Sequence, residues 1–440
     1  MIGKLFRAVT GKDPFGRKRA YFDYASITPV DKRVLSHMNQ AARQYPANPS
    51  SLYIEGVAAQ KALEAARKEI ADALEVHADE IIFTSGGTEA NNLAIVSVVE
   101  SLWSAAERSF SGMIGAKVDH ETIEVTLKPH IVISAIEHPS VKEVAEHLKK
   151  RGVEVTVVPV EENGIISAKN IKAALRAQTV LVSVMYVNNE IGTVQPLAEI
   201  AKALRSYKKS LGRDNHAWPY FHTDACQAAC YESLRVPSLG IDMMTLDSSK
   251  FYGPRSSGIL YAKRAIKIIQ QIHGGDQEKG KRAGTEDVVK AIGFARALKI
   301  ARDEMQKEIP RLMQMRDGFI DWTLKNIKGA RLNGAWAPGT VTERAPNNIN
   351  ICIPGRDAEY MVLQLDAKGF AISSVTSCQN LREDSYSYVI AALGDTCEDH
   401  QKKKNYRDCA QSSLRITLGR FTTAKQIERL KKSLLEITSQ

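Results

Sequence analysis

The sequence predicts an α/β protein with two parts: a large domain around a mostly parallel sheet, then a smaller α+β domain. Three observations lead there. Between about residues 58 and 262, short β-branched runs alternate with helical patterns, as expected for strands with covered faces. After about 285 the pattern changes to long amphipathic helices followed by a few short strands. The chain has 440 residues, 44% apolar and 25% charged, which suits a globular protein with a large core.

The elements follow in order. Residues 1–20 read as a basic tail, with Lys4, Arg7, Lys12, Arg17, Lys18 and Arg19 against Asp13. No central apolar block marks it as a secretory signal. A solvated or docked tail on a cytoplasmic protein is one reading, and a transit peptide of an organellar protein is the other. The large domain spans 21–285, and its first residues are candidates to pack on the small one. Its strands are "EIIFTS", "HIVISAI", "VEVTVV", "VLVSVMY", "YFHTD", "DMMTLD" and "GILYA", with helices such as 58–75 and 196–207 between them. The small domain, 286–440, opens with helices over 288–308 and 311–327. It continues with "NNINICI" and a helix near 357–368, and closes with "LRITLGRFTTAKQIERLKKSL". In that last helix Thr422 or Thr423 caps the start, and Ile427, Leu430 and Leu434 share a face. Residues 103–128 and 395–411 read as surface insertions.

Composition narrows the function. No apolar run reaches the length of a membrane span. The net charge is +10 but scattered, and the run "QKKKNYR" at 401–407 reads as a solvated loop without a nucleic-acid pattern. Six cysteines in such a chain are no disulfide scaffold, and none forms the paired spacing of a metal site. A reducing compartment fits, with any functional cysteine acting as a thiol. Cys226 reads as packing; Cys230, Cys352, Cys397 and Cys409 receive no role.

Four strand ends carry chemistry. "FTSGGTEANN" (83–92) follows a strand and opens a helix. Gly86 and Gly87 permit close backbone approach, Thr88 offers a hydroxyl, and the helix start offers N–H groups to a phosphate. A plain capped turn explains it equally well, for it is neither of the familiar glycine-rich nucleotide motifs. Asp224 ends "YFHTD", with Gln227 three residues on; such a carboxylate either caps the next helix or protonates a pyridine nitrogen. His138 ends "SAIEH", as a structural residue or as a ring-stacking proton shuttle. Lys250 sits at the lip of "MMTLDSSK", as a turn lysine or as an imine-forming amine.

Taken together, the motifs resemble the fold-type-I, class V pyridoxal phosphate enzymes, and most closely the group I cysteine desulfurases. The resemblance runs from "YFDYASITPVDKRV" to "SLRITLGRFTTAKQIERL". It includes "NPSSLYIEG", "FTSGGTEANN", "EHPSV", "VNNEIGTVQP", "HTDACQ", "KFYGPRSSGILY", "HGGDQEKGKRAGTEDV" and "LGRFTT". It implies pyridoxal 5′-phosphate as cofactor and no metal. Lys250 would carry the Schiff base, Asp224 would face the ring nitrogen and Gln227 the ring hydroxyl. His138 would stack and move protons. Gly87 and Thr88 would hold phosphate, with Thr285 reaching over from the second subunit of a homodimer. Asn189 and Arg415 would grip the substrate carboxylate, a task suited to a planar guanidinium. Cys378, in "AISSVTSCQNLRED", would be the nucleophile on a mobile loop. It would take sulfur from L-cysteine as a persulfide, release L-alanine, and pass the sulfur to an iron–sulfur scaffold or a tRNA-thiolation carrier. Neither a membrane nor nucleic acid is an expected partner.

The resemblance breaks at two places. The family usually has Ser-Gly-His before the lysine, and this chain has Asp247-Ser248-Ser249. Asp247 falls where a phosphate-binding serine is expected, and like charges repel. Ser248 and Ser249 are then the candidate phosphate donors. Val375 and Thr376 stand where the family favours Gly-Ser, which would stiffen the cysteine loop. Two alternatives stay open, the second motivated by the departure at 247–249. One is a related enzyme, a selenocysteine lyase or an aminotransferase; the other is a non-catalytic paralogue serving as a sulfur-transfer scaffold.

Overall fold

The computed structural model describes residues 19–114, 128–214, 216–340, 342–374 and 386–439. The basic tail up to residue 18, most of the 103–128 insertion and the segment 375–385 with Cys378 lie outside them.

Twelve strands are formed among the described residues. They are β1 (Ala20–Tyr21), β2 (Ile81–Thr84), β3 (His130–Ser134), β4 (Glu154–Val158), β5 (Thr179–Ser183) and β6 (Tyr220–Asp224), then β7 (Met243–Asp247), β8 (Gly258–Ala262), β9 (Arg331–Leu332), β10 (Asn348–Cys352), β11 (Phe370–Ala371) and β12 (Ser413–Thr417). Seven make one sheet in the order β2-β8-β7-β6-β5-β3-β4. Strand β8 runs antiparallel to both neighbours, and the other pairings are parallel. Every residue of β3, β5 and β8 is buried, because helices cover both faces of a parallel sheet. One consequence matters for the site: β2, β3, β5, β6 and β7 all end on the same edge. Open α/β sheets bind ligands at this carboxyl edge.

The C-terminal part builds a three-stranded antiparallel sheet, β12-β10-β9, and β1 pairs in parallel with β11. The first described residues therefore join the C-terminal part. Asp23 bridges Thr417, tying the chain start to β12. The last helix, Ala424–Thr438, starts with a capping box between Thr423 and Gln426 and buries Ile427, Leu430 and Leu434.

Four expectations change. The two helices expected over 288–308 and 311–327 are one helix, Val288–Asn326, running through Pro310. Proline removes one backbone donor, yet buried side chains on both sides, from Phe294 and Leu298 to Leu312 and Phe319, hold the helix continuous. The 103–128 insertion does not begin at 103: Trp103 is buried within the helix Gly87–Ile114, packed among the side chains beneath the sheet. The run at 401–407 is not a loop but lies in the helix His400–Cys409, capped by Asp399. Finally, Cys352 and Cys409 form a disulfide across 57 residues, so these two are not thiols. Such bonds persist in oxidising surroundings. No described helix is long and apolar enough to cross a membrane, and no described cluster of His, Cys, Asp and Glu is arranged to hold a metal.

Candidate active site

At the carboxyl edge of the large sheet lies a cavity of about 200 Å³. Its lining comes from successive strand ends: Gly87 and Thr88 after β2, His138 and Ser140 after β3, Met185 and Asn189 after β5, Asp224 and Gln227 at β6, Asp247 and Lys250 at β7. Arg415 enters from β12, and Ala25 and Ser26 from the chain start. Residues almost 400 positions apart meet because Asp23 bridges Thr417 beside Arg415, while the parallel strands of the large sheet deliver the other ends side by side.

Local rules place each group. Asp224 accepts the Cys226 N–H on one oxygen (3.0 Å) and an Nδ2–H of Asn91 on the other (2.8 Å). Its carboxylate is thereby held in one orientation at the cavity. Asn91 also donates to the Ser140 hydroxyl at 2.8 Å, and that hydroxyl lies 2.8 Å from Nδ1 of His138. His138 caps the helix Pro139–Lys150, with Nδ1 accepting the Ser140 N–H at 3.2 Å. An Nδ1 used as acceptor carries no proton, so the neutral ring keeps its hydrogen on Nε2. Burial pushes the imidazole below its ordinary range, and the nearby Asp224 carboxylate opposes that only in part.

Lys250 ends the short 3-10 turn after β7, and its ammonium donates to the Ser26 carbonyl. Gln227 gives one amide hydrogen to the Ala25 carbonyl at 2.8 Å and keeps the other. Arg415 is 2% exposed; it pairs with Asp23 at 2.8 Å and donates to the Asn189 carbonyl at 3.2 Å. Its Nε is buried and has no partner among the described residues. Next to His138, Glu137 is fully enclosed. Burial, with help from Asp224, raises its carboxyl to about 8.

Three sequence candidates stand apart from this cavity. The Ser248 hydroxyl lies between the Ser257 carbonyl, at 2.9 Å, and that of Pro254, and its one hydrogen goes to these, so it is consumed inside the turn and is absent from the cavity lining. Ser249 likewise is absent from the lining; its carbonyl accepts the Thr28 N–H and hydroxyl, both at 2.8 Å. Thr285 lines a separate surface cleft with Arg282 and Gly284. Conversely, Asn91, Ser140, Asp23 and Glu137 belong to the network and were not singled out from sequence. Asn91 had a signal: it lies one turn after Thr88, on the face that a helix opening at the sheet edge turns inward.

The donor set suits pyridoxal 5′-phosphate: a lysine amine, an oriented carboxylate, an imidazole and an unsatisfied guanidinium N–H share one cavity. Asp247 is the exception, since its Oδ2 accepts the Gly87 N–H at 3.1 Å, at the start of the helix Gly87–Ile114.

A mostly parallel sheet with such groups along its carboxyl edge defines an α/β protein of the aminotransferase kind. The aminotransferase class-V family model matches residues 20–111 and 116–430, and the chain belongs to that family. It is 37% identical over 411 residues to a protein of Dictyoglomus turgidum named cysteine desulfurase IscS, covering 93% of this chain and 92% of that one. A Clostridium botulinum protein of the same name is 34% identical over 423 residues, covering 96% and 95%. Among solved structures, a NifS-like protein superposes with a TM-score of 0.80 at 27% identity, covering 96% of this chain and 99% of the other.

Proposed function

We propose that this protein is a pyridoxal 5′-phosphate-dependent cysteine desulfurase. It converts L-cysteine to L-alanine and keeps the sulfur as a persulfide on Cys378. One observation carries the reading: Lys250, Asp224, His138, Gln227 and Arg415 line one cavity at the sheet edge. Relatives named cysteine desulfurase favour it over an aminotransferase or a selenocysteine lyase.

Lys250 would hold the cofactor covalently, Asp224 its ring nitrogen, and Gln227 its ring hydroxyl through the remaining amide hydrogen. Gly87 and Thr88 would hold its phosphate, with Thr285 of a second copy. When bound, the cofactor supplies an electron sink that stabilises negative charge at the substrate Cα. The chain does the rest. Asn91 fixes the Asp224 carboxylate. His138 carries a transferable proton on Nε2, because Ser140 occupies Nδ1. Arg415 offers its free Nε–H to the substrate carboxylate, and Asn189 completes that grip.

Cys378 lies outside the described residues, but the chain on either side borders the site. Ser373 exchanges backbone hydrogen bonds with Arg415, and the Ser387 hydroxyl donates to Glu190, beside Asn189. The reaction balances without an outside oxidant. The substrate C–S bond breaks, an S–S bond forms to Cys378, and the hydrogen lost from the Cys378 thiol is matched by one gained at the substrate Cβ. The sulfur then passes to an acceptor protein, an iron–sulfur scaffold or a tRNA-thiolation carrier, from a homodimer.

The test is mass spectrometry of Cys378 after incubation with L-cysteine. One added sulfur on Cys378, absent in Cys378→Ala together with alanine release, is the expected result. Full alanine release by Cys378→Ala overturns the persulfide route. The placement of Asp247 favours a second reading, a scaffold without cofactor. A protein that shows no borohydride-trapped adduct at Lys250 supports it.

A further inference from the structure

We propose that Asp247 is an internal anion seated in the cofactor's phosphate cradle, and that it lowers the protein's preference for phosphorylated over unphosphorylated vitamin B6 aldehyde. This rests on the cofactor assignment above and concerns what is distinctive in this chain.

Strand β7 delivers Asp247 to the sheet edge, where its two oxygens do different work. Oδ2 accepts the Gly87 N–H at 3.1 Å. Oδ1 accepts the Ser249 N–H at 2.9 Å and so caps the turn that ends on Lys250. The start of a helix such as Gly87–Ile114 offers N–H groups and partial positive charge, the features that hold phosphate. Gly86 has φ +148°, and a Cβ there would come 3.3 Å from Oδ2. Gly86, without a Cβ, thus leaves room for this carboxylate at the backbone.

An incoming phosphate meets two obstacles. The Gly87 N–H is already engaged, and its acceptor is negatively charged. Like charges at hydrogen-bond separation repel strongly where water is scarce. Ser248 and Ser249 give no replacement, for Ser248 donates into its own turn and Ser249 lies off the lining, which leaves Thr88 as the hydroxyl at the helix start. Lys250 and Arg415 face the same cavity, so the cradle retains positive charge, but the carboxylate cancels part of it. The cost falls on phosphate alone. The groups placed for the aldehyde, ring nitrogen and ring hydroxyl are Lys250, Asp224 and Gln227, and they are the same for both aldehydes.

The experiment titrates cofactor-free protein with pyridoxal 5′-phosphate and, separately, with pyridoxal. Absorbance and borohydride trapping are read for wild type, Asp247→Asn and Asp247→Ser. Asparagine retains an acceptor for the Ser249 N–H and guards the turn. The expected result is that both variants bind the phosphorylated aldehyde about tenfold to a hundredfold more tightly, the range of one charge-assisted hydrogen bond. Pyridoxal affinity stays level. A role confined to capping the turn would move both aldehydes together. Trapping at Lys250 with an unchanged affinity ratio overturns this inference alone. Failure of every protein to trap either aldehyde overturns the cofactor assignment and this inference with it.

Discussion

Glu137 shows how much one buried carboxyl can report. Its Oε1 accepts the Ser134 hydroxyl at 2.5 Å and the Met185 N–H at 2.8 Å, while Oε2 has no partner. With the carboxyl raised to about 8 from an ordinary 4.5, the folded chain keeps a proton that the unfolded chain releases between those values. Its contribution to stability is therefore complete below about pH 4.5 and is lost as pH rises through about 8, at a slope of about 1.4 kcal/mol per pH unit. Glu137→Gln holds the neutral shape at every pH. Urea unfolding across that window should show wild type losing stability relative to the variant; parallel curves would refute the shift. Cys226 belongs to the same scale. It lies beside Gly87, where a Cβ would come 2.9 Å from its sulfur, and burial raises its thiol far above the usual range. A thiol kept protonated is a poor nucleophile, so Cys226→Ser should leave cysteine turnover within about threefold, as alanine release would show.

Between elements, two long-range ties matter. Arg67, on the helix Ile54–Leu74, meets Glu278 through two hydrogen bonds of 2.7 and 2.8 Å, with both side chains buried. The same guanidinium donates to the Ile81 carbonyl, and Glu278 accepts the Phe83 N–H, so helix, β2 and the 277–280 turn close on one ion pair. Glu278→Ala leaves the buried Arg67 guanidinium with only the exposed Glu64 carboxylate, 3.1 Å from its Nε, and should cost up to about 3–5 kcal/mol in urea unfolding. The double variant with Arg67→Met should recover much of that loss. The second tie is Cys352–Cys409, which joins β10 to the end of the helix His400–Cys409. Closing a 57-residue loop restricts the unfolded chain by about 4 kcal/mol in the chain-entropy view. Dithiothreitol should lower the unfolding midpoint of wild type and leave Cys352→Ala/Cys409→Ala unmoved. Alkylation mass shifts before and after reduction check the pairing directly.

At the scale of the whole molecule, the surface carries an apolar patch. Leu52 is 96% exposed and Ile54 84%, flanked by exposed Tyr53 and Val57. Such a concentration is a candidate contact face, and the proposed role of Thr285 requires a second copy as a partner. If Thr285 completes the neighbour's cradle, Lys250→Ala and Thr285→Ala damage sites by different routes. A mixed dimer then holds one doubly damaged site and one intact site. Mixing the two weak variants under exchange conditions should restore alanine formation beyond the sum of the parts. Additive activities would place Thr285 outside the site.

The sequence by itself determined the elements and their order. Alternating β-branched runs mark buried parallel strands, and the residues following them, Asp224, His138 and Lys250, are legible because strand ends carry ligands in such sheets. Asp247 stood out for its charge, and the capped last helix could be read from Thr423 and its apolar stripe. Only the tertiary structure decided which distant groups meet. It joined Arg415 to Asp23, Asn91 to Asp224, Cys352 to Cys409 and the Asp247 carboxylate to the Gly87 N–H. It buried Trp103 and carried a helix through Pro310, and it turned the Ser248 hydroxyl away from the cavity. The reason is physical. Periodicity along a chain records whether a position faces core or water, whereas the partner across a sheet edge is set by strand order, which no local pattern encodes.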